Sequence, residues 1–338
     1  MDQFSAHLDR GWDLAQKGDA AGASACARRA LELDPDSPEV HNLLGFTAAL
    51  RGDADEALEH YRQAIALDDT YFEAMLNAAE VLIHPLGEWD EAASFCDDAY
   101  ELAETDEEVA DCMLLKVDAL MAKGDADAAR KALALIPDGP FESPSYIFLI
   151  GRAYYELGDV ERAAPLIEEA AKSDPENVDA QYYLGLVRDE RGDVRGATEA
   201  FLRARQLDVA KGAPSWAPPP QAFAEAVRSA LGRLDVILAR YVREAEVYVT
   251  EVPGVELVVD GVDPRALLLI DTPPPPSPED DGPPRPTRLF VYQRNVERVA
   301  GSAQAVEDEL VGALEREITA VFLEKTPGAQ PSDKHQLN

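Results

Sequence analysis

Residues 38–67 read PEVHNLLGFTAALRGDADEALEHYRQAIAL, and the Gly52-Asp53 pair near the middle of this stretch decides the fold. Apolar residues recur at helical spacing on both sides of the pair, as in two amphipathic helices joined by a tight turn. A glycine can take the left-handed conformation that ends one helix, and the acid behind it suits the positive N-terminus of the next. Outward from this stretch the same pair returns at Gly18-Asp19, Gly87-Glu88, Gly124-Asp125, Gly158-Asp159 and Gly192-Asp193, at intervals of 34, 35, 37, 34 and 34 residues. An alanine stands five residues after every one of these glycines: Ala23, Ala57, Ala92, Ala129, Ala163 and Ala197. Small residues recur where helices must approach: Ala30, Ala64, Ala99, Ala170 and Ala204 twelve after the glycine, and Gly11, Gly45, Gly151 and Gly185 seven before it. Pro35 and Pro175 close the second helix of their units, since proline lacks the backbone donor that a helix needs.

A hairpin of this kind exposes an apolar face that only its neighbours can cover, so such units come in arrays. The turn glycine, the small residues and the terminal proline, in this order and at this period, resemble the tetratricopeptide repeat over roughly residues 3–210. The resemblance implies an α-solenoid of about six hairpins whose first helices line a groove for a peptide or protein. On the family's pattern the inward positions are Asn42, Phe46, Asn77, Phe148, Arg152, Tyr155 and Tyr182. Aromatics supply contact area with few rotatable bonds, and asparagine can bond a peptide backbone. Any single one of these side chains can equally pack between helices. The first three groove-facing helices offer no set of lysines and arginines to grip a terminal carboxylate. The fourth unit is irregular: Val117 and Ile136 replace small residues and Pro137 and Pro140 follow, so a kink is expected near 136–144.

Composition narrows the function. The chain of 338 residues carries 65 acidic and 31 basic residues, a formal charge of −34, which repels phosphate backbones and anionic membranes. The partner expected is a protein or peptide, with solubility or a preference for a basic partner as two readings of the acidity, and no nucleic acid or membrane insertion. No apolar stretch of about 18 residues and no basic-then-apolar leader occurs, so a cytoplasmic protein is expected. Cys26, Cys96 and Cys112 are odd in number and far apart, which favours buried free thiols over a disulfide framework or a metal knuckle.

The pattern changes after residue 212. Residues 213–220 read as a linker, and residues 221–326 as a second domain: an amphipathic helix over 221–243, β-rich runs at 246–252, 255–259 and 266–271, a half-proline loop over 272–287, a strand from Leu289, and a long helix over 303–323. Residues 327–338 read as a disordered tail. The Ala230-Leu231 pair on the leading helix, Val252-Pro253, and Leu289-Phe-Val-Tyr-Gln-Arg-Asn-Val-Glu-Arg-Val299 resemble the minimal zincin-like bacterial metallopeptidase family. In that family the long helix carries His-Glu-x-x-His, two imidazoles on one face for zinc and a glutamate for water. Here the same positions read Arg316-Glu317-Ile318-Thr319-Ala320, so both ligands are replaced and only the glutamate remains. The resemblance implies a pseudo-peptidase with no cofactor and no metal, and a guanidinium at 316 where the metal would sit.

The sequence therefore predicts a mainly α protein, a tetratricopeptide-like α-solenoid over 1–212 followed by a small α+β zincin-like domain. Its expected role is a non-catalytic protein-binding scaffold. A zinc peptidase that recruits substrates through its repeats, and a self-assembling structural protein, are the alternatives.

Overall fold

A computed structural model describes residues 2–272 and 287–323 of the chain, which divides into two compact units, Met1–Asp174 and Pro175–Asn338. The proline-rich loop, apart from its flanking threonines, and the C-terminal tail lie outside the described residues.

The first unit is a series of five helical hairpins: α1 (Gln3–Gln16) with α2 (Ala20–Leu33), α3 (Pro38–Arg51) with α4 (Ala54–Leu67), α5 (Phe72–Val81) with α6 (Trp89–Leu102), α7 (Asp106–Lys123) with α8 (Ala126–Leu133), and α9 (Ser145–Glu156) with α10 (Val160–Ser173). The turn glycines do what their spacing predicts. Gly52 has φ of +81° with open space around it, so it is required by backbone geometry. Gly45 has the opposite reason, because a Cβ there would lie 2.6 Å from the Tyr61 ring. The acid after the turn caps the next helix at Asp19, Asp125 and Asp159, whose carboxylates accept backbone N–H bonds from Gly22, Ala128 and Arg162. Asp53 makes no such cap and accepts instead from Arg51 Nε at 3.0 Å.

The five repeat alanines of this unit, Ala23, Ala57, Ala92, Ala129 and Ala163, are all fully buried, so the recurring small side chain marks the helix–helix seam. Cys96 and Cys112 are buried free thiols, as expected, and Cys26 is half-buried. Burial pushes both buried thiols up to about 12 and leaves them unreactive. Two departures from the regular repeat appear. After α5 the chain kinks at His84, which is extended (φ −139°, ψ 118°), before it reaches the αL residue Gly87. The irregular fourth unit takes the form of an eight-residue α8 followed by eleven residues without a helix, and Ile136 lies past the helix end.

The second unit opens with one more hairpin, α11 (Val178–Glu190) and α12 (Val194–Ala210), in which Gly185 makes room for the Phe201 ring 2.4 Å from where a Cβ would stand. There follow α13 (Pro220–Arg233), α14 (Val236–Val242), β1 (Glu246–Thr250), α15 (Val255–Val259), β2 (Leu268–Asp271), β3 (Arg288–Tyr292), α16 (Gln293–Ala300) and α17 (Val306–Phe322). The strands order β1-β3-β2, with β1 parallel and β2 antiparallel to β3. Phe223 and Val227 of α13, Leu289 and Val291 of β3, and Leu310, Leu314 and Ile318 of α17 form its core.

Two sequence readings are corrected. The helix expected over 221–243 is two, because Leu234 is extended (ψ 145°) and Asp235 caps a new helix by accepting from Ile237 N–H at 2.7 Å. The β-rich run 255–259 is the short helix α15, which ends ahead of the positive-φ Gly261; only Val258 of its residues is buried, so no strand face is available to pair.

Candidate peptide groove

The first helices of successive hairpins carry the residues singled out from the sequence, and the structure sorts them into separate roles. Asn42 on α3 is buried and serves as a bolt: its amide donates to the Tyr71 hydroxyl at 3.2 Å and its carbonyl accepts from Asn77 Nδ2 of α5 at 2.9 Å. Phe46, one turn further along α3, meets the Trp12 ring of α1 with centroids 5.5 Å apart. Phe46, Tyr61, Asn77, Glu80 and His84 line a cavity of about 300 Å³. Asn77 and Glu80 also line a second cavity of about 270 Å³, whose walls include Asp111 and Asp118 of α7 and Leu149 and Arg152 of α9. The two cavities thus adjoin at Asn77 and Glu80, and α3, α5, α7 and α9 contribute to their walls in chain order, with Ala54 and Tyr61 of α4 in the first.

Arg152 is held by two acids, Asp118 at 3.9 Å and Glu156 at 3.4 Å. Asp111 accepts from the Tyr146 hydroxyl at 2.8 Å. Burial pushes the carboxyl of Asp111 above the usual carboxylate range, with the Tyr146 bond acting against it. Burial does the same to Asp118, and there the Arg152 guanidinium opposes it. A carboxylate whose ionised form is disfavoured gains from an added cation, and the Asp118 side chain, 47% exposed, is open to one.

Phe148 is buried on α9 and Tyr155 is half-buried near the end of the same helix. Tyr182 on α11 stands in the second unit. Its hydroxyl donates to Asp263 at 2.8 Å, and the Arg265 guanidinium lies 4.3 Å over its ring. Arg265 also bridges Asp179 of α11 at 2.6 Å and Asp208 of α12 at 3.2 Å.

Glu80, Asp111, Asp118 and Tyr146 were not among the sequence candidates. Their signal is helical spacing. Glu80 follows Asn77 by three residues, and Asp111 and Asp118 are seven apart, so each pair shares a helix face.

In the C-terminal elements the Tyr292–Arg298 segment braces loops. Gln293 Nε2 donates to the Pro218 carbonyl at 2.8 Å, and Asn295 Nδ2 donates to the carbonyls of Pro264 and Ala266 at 2.9 and 2.7 Å. On α17, Arg316 is exposed and pairs with Glu309 of the same helix at 2.8 Å, while Glu317 and Ala320 are half-buried. An arginine held by a carboxylate, one glutamate and one alanine do not fit a zinc ion at these positions.

Three stretches of the chain, residues 8–72, 51–107 and 148–210, match the tetratricopeptide repeat family model, and these stretches are tetratricopeptide repeats. Among curated proteins it is 32% identical over 133 residues to tetratricopeptide repeat protein 7B of Homo sapiens, covering 39% of this chain. The match spans only 15% of that relative's length. Among solved structures it is similar to pilF of Pseudomonas aeruginosa, with a TM-score of 0.51 at 20% identity over 61% of this chain and 91% of that one. It is also similar to the type IV pilus biogenesis factor PilW, with a TM-score of 0.52 at 17% identity over 60% and 92% of the two chains. At these identities the likeness is one of fold. No described helix is long and apolar enough to cross a membrane.

Proposed function

We propose that the first unit is a non-catalytic docking module that holds an extended, basic segment of a partner protein along α3, α5, α7 and α9. One observation carries the reading: two adjoining cavities share Asn77 and Glu80, and the second has Asp111 and Asp118 in its wall. A lysine or arginine of the partner would sit among these carboxylates, and its backbone within reach of the Asn77 amide, while Phe46 and Leu149 offer apolar contact. The overall charge of −34 steers such a partner toward the chain.

The test is fluorescence anisotropy of the full chain with labelled extended peptides that differ only in lysine and arginine content. Saturable binding that rises with basic content and weakens about tenfold in D118N, or about 1.4 kcal/mol, supports the reading. Equal binding of acidic and basic peptides, or affinities unmoved by both D118N and E80Q, overturns it.

For the second unit we infer a metallopeptidase-like module that has lost its chemistry, on the strength of the Tyr292–Arg298 segment and the Arg316-Glu317-x-x-Ala320 positions. Peptide hydrolysis by the purified chain that disappears in E317Q would refute this inference.

A further inference from the structure

His41 stands in the first turn of α3 and His60 in the middle of α4, nineteen residues on. Their Nδ1 atoms lie 3.3 Å apart, with the rings tilted by 40° and both side chains half-buried. By themselves two neutral imidazoles at this distance share one proton, one ring donating and the other accepting. The separation also has a second meaning. Zinc–nitrogen bonds of about 2.0–2.1 Å at the tetrahedral angle place two ligand nitrogens about 3.3 Å apart, whereas adjacent corners of a square plane at the same bond length place them about 2.9 Å apart. The observed distance matches the tetrahedral value as well as a hydrogen bond between the rings.

We propose that His41 Nδ1 and His60 Nδ1 form a two-imidazole site for Zn²⁺ on the α3–α4 hairpin, with water completing the tetrahedron. Glu56 and Glu59 of α4, four residues and one residue before His60, place negative charge near its ring, and Arg28 of α2 opposes them. Among the described residues no group of three or more His, Cys, Asp or Glu side chains gathers here, so the site is an open one with exchangeable waters and weaker than a closed structural site.

The site shares no residue with the cavities along α3, α5, α7 and α9, so it stands or falls apart from peptide docking. The experiment is a zinc titration of the full, untagged chain by calorimetry, repeated for H41N, H60N, H7N, H84N, H335N and E317Q. One zinc per chain is expected, weakened at least tenfold in H41N and in H60N and unchanged in the other four. Cobalt added to the unmodified chain answers the same question without relying on a variant's folding: an intense visible band marks four-coordinate cobalt held by imidazole. Absence of saturable zinc binding overturns the proposal, as does binding that survives both H41N and H60N. A weak, six-coordinate cobalt spectrum does the same.

Discussion

At the residue scale, similar-looking positions carry different physics. Gly52 is needed for its dihedral and Gly45 for its lack of a Cβ, so alanine at each should fail for a different reason. G45A forces the Tyr61 ring to move inside a packed seam and should lower stability by about 1–3 kcal/mol. G52A strains one turn without a clash and should cost roughly 1 kcal/mol. Urea unfolding of both variants measures the difference, and equal losses would contradict it. The histidine pair gives a pH prediction with a definite sign. His41 and His60 bind protons less readily folded than unfolded, so their contribution to stability is present above the ordinary histidine value of about 6.5 and is lost as pH falls through their lowered folded values. The charges around them are Asp36 before α3, Glu56 and Glu59 on α4, and Arg28 on α2; the acids oppose the loss, while repulsion of His60 by His41 and the charge of Arg28 add to it. Thermal unfolding without metal should show a decline in acid that shrinks in an H41N/H60N double variant.

At the scale of elements, the hairpin is the unit that the period of 34 residues describes, and its seam alanines are fully buried as the pattern requires. The breaks in pattern are equally legible in hindsight. Pro85 and Gly87 mark the kink after α5, and Pro137 and Pro140 mark the end of the fourth hairpin, which the family model also leaves unmatched between residues 107 and 148. Periodicity failed at 221–243 and 255–259. An apolar run reads alike as one helix or two, and as strand or helix, until its neighbours decide which face is covered. The groove was half legible. Asn42 and Phe46 could be placed on an inward helix from the repeat alone, but that Asn42 is consumed by Tyr71 and Asn77 depends on side chains 29 and 35 residues away.

At the scale of the molecule, the last hairpin groups with the C-terminal elements in one compact unit, and Arg265 is its knot. It stacks on Tyr182 and bridges Asp179 and Asp208 with little exposure. Burial works against its charge, and the two aspartates more than offset this. R265A should therefore destabilise the second unit by about 1–3 kcal/mol, moderated because Arg298 remains 3.2 Å from Asp208. Hydrogen exchange should show α11 and α12 loosening in R265A while α1–α10 keep their protection; uniform loosening of both units would contradict the division. By itself the sequence determined the repeat, its phase, its seam residues and its acidic character, because turn glycines and buried alanines are local demands that recur at a fixed interval. Only the tertiary structure decided which polar side chains are spent on one another and which face a cavity. Asn42, Tyr182, Asp118 and the His41–His60 pair take their roles from partners on other segments of the chain, and no spacing along one helix encodes that meeting.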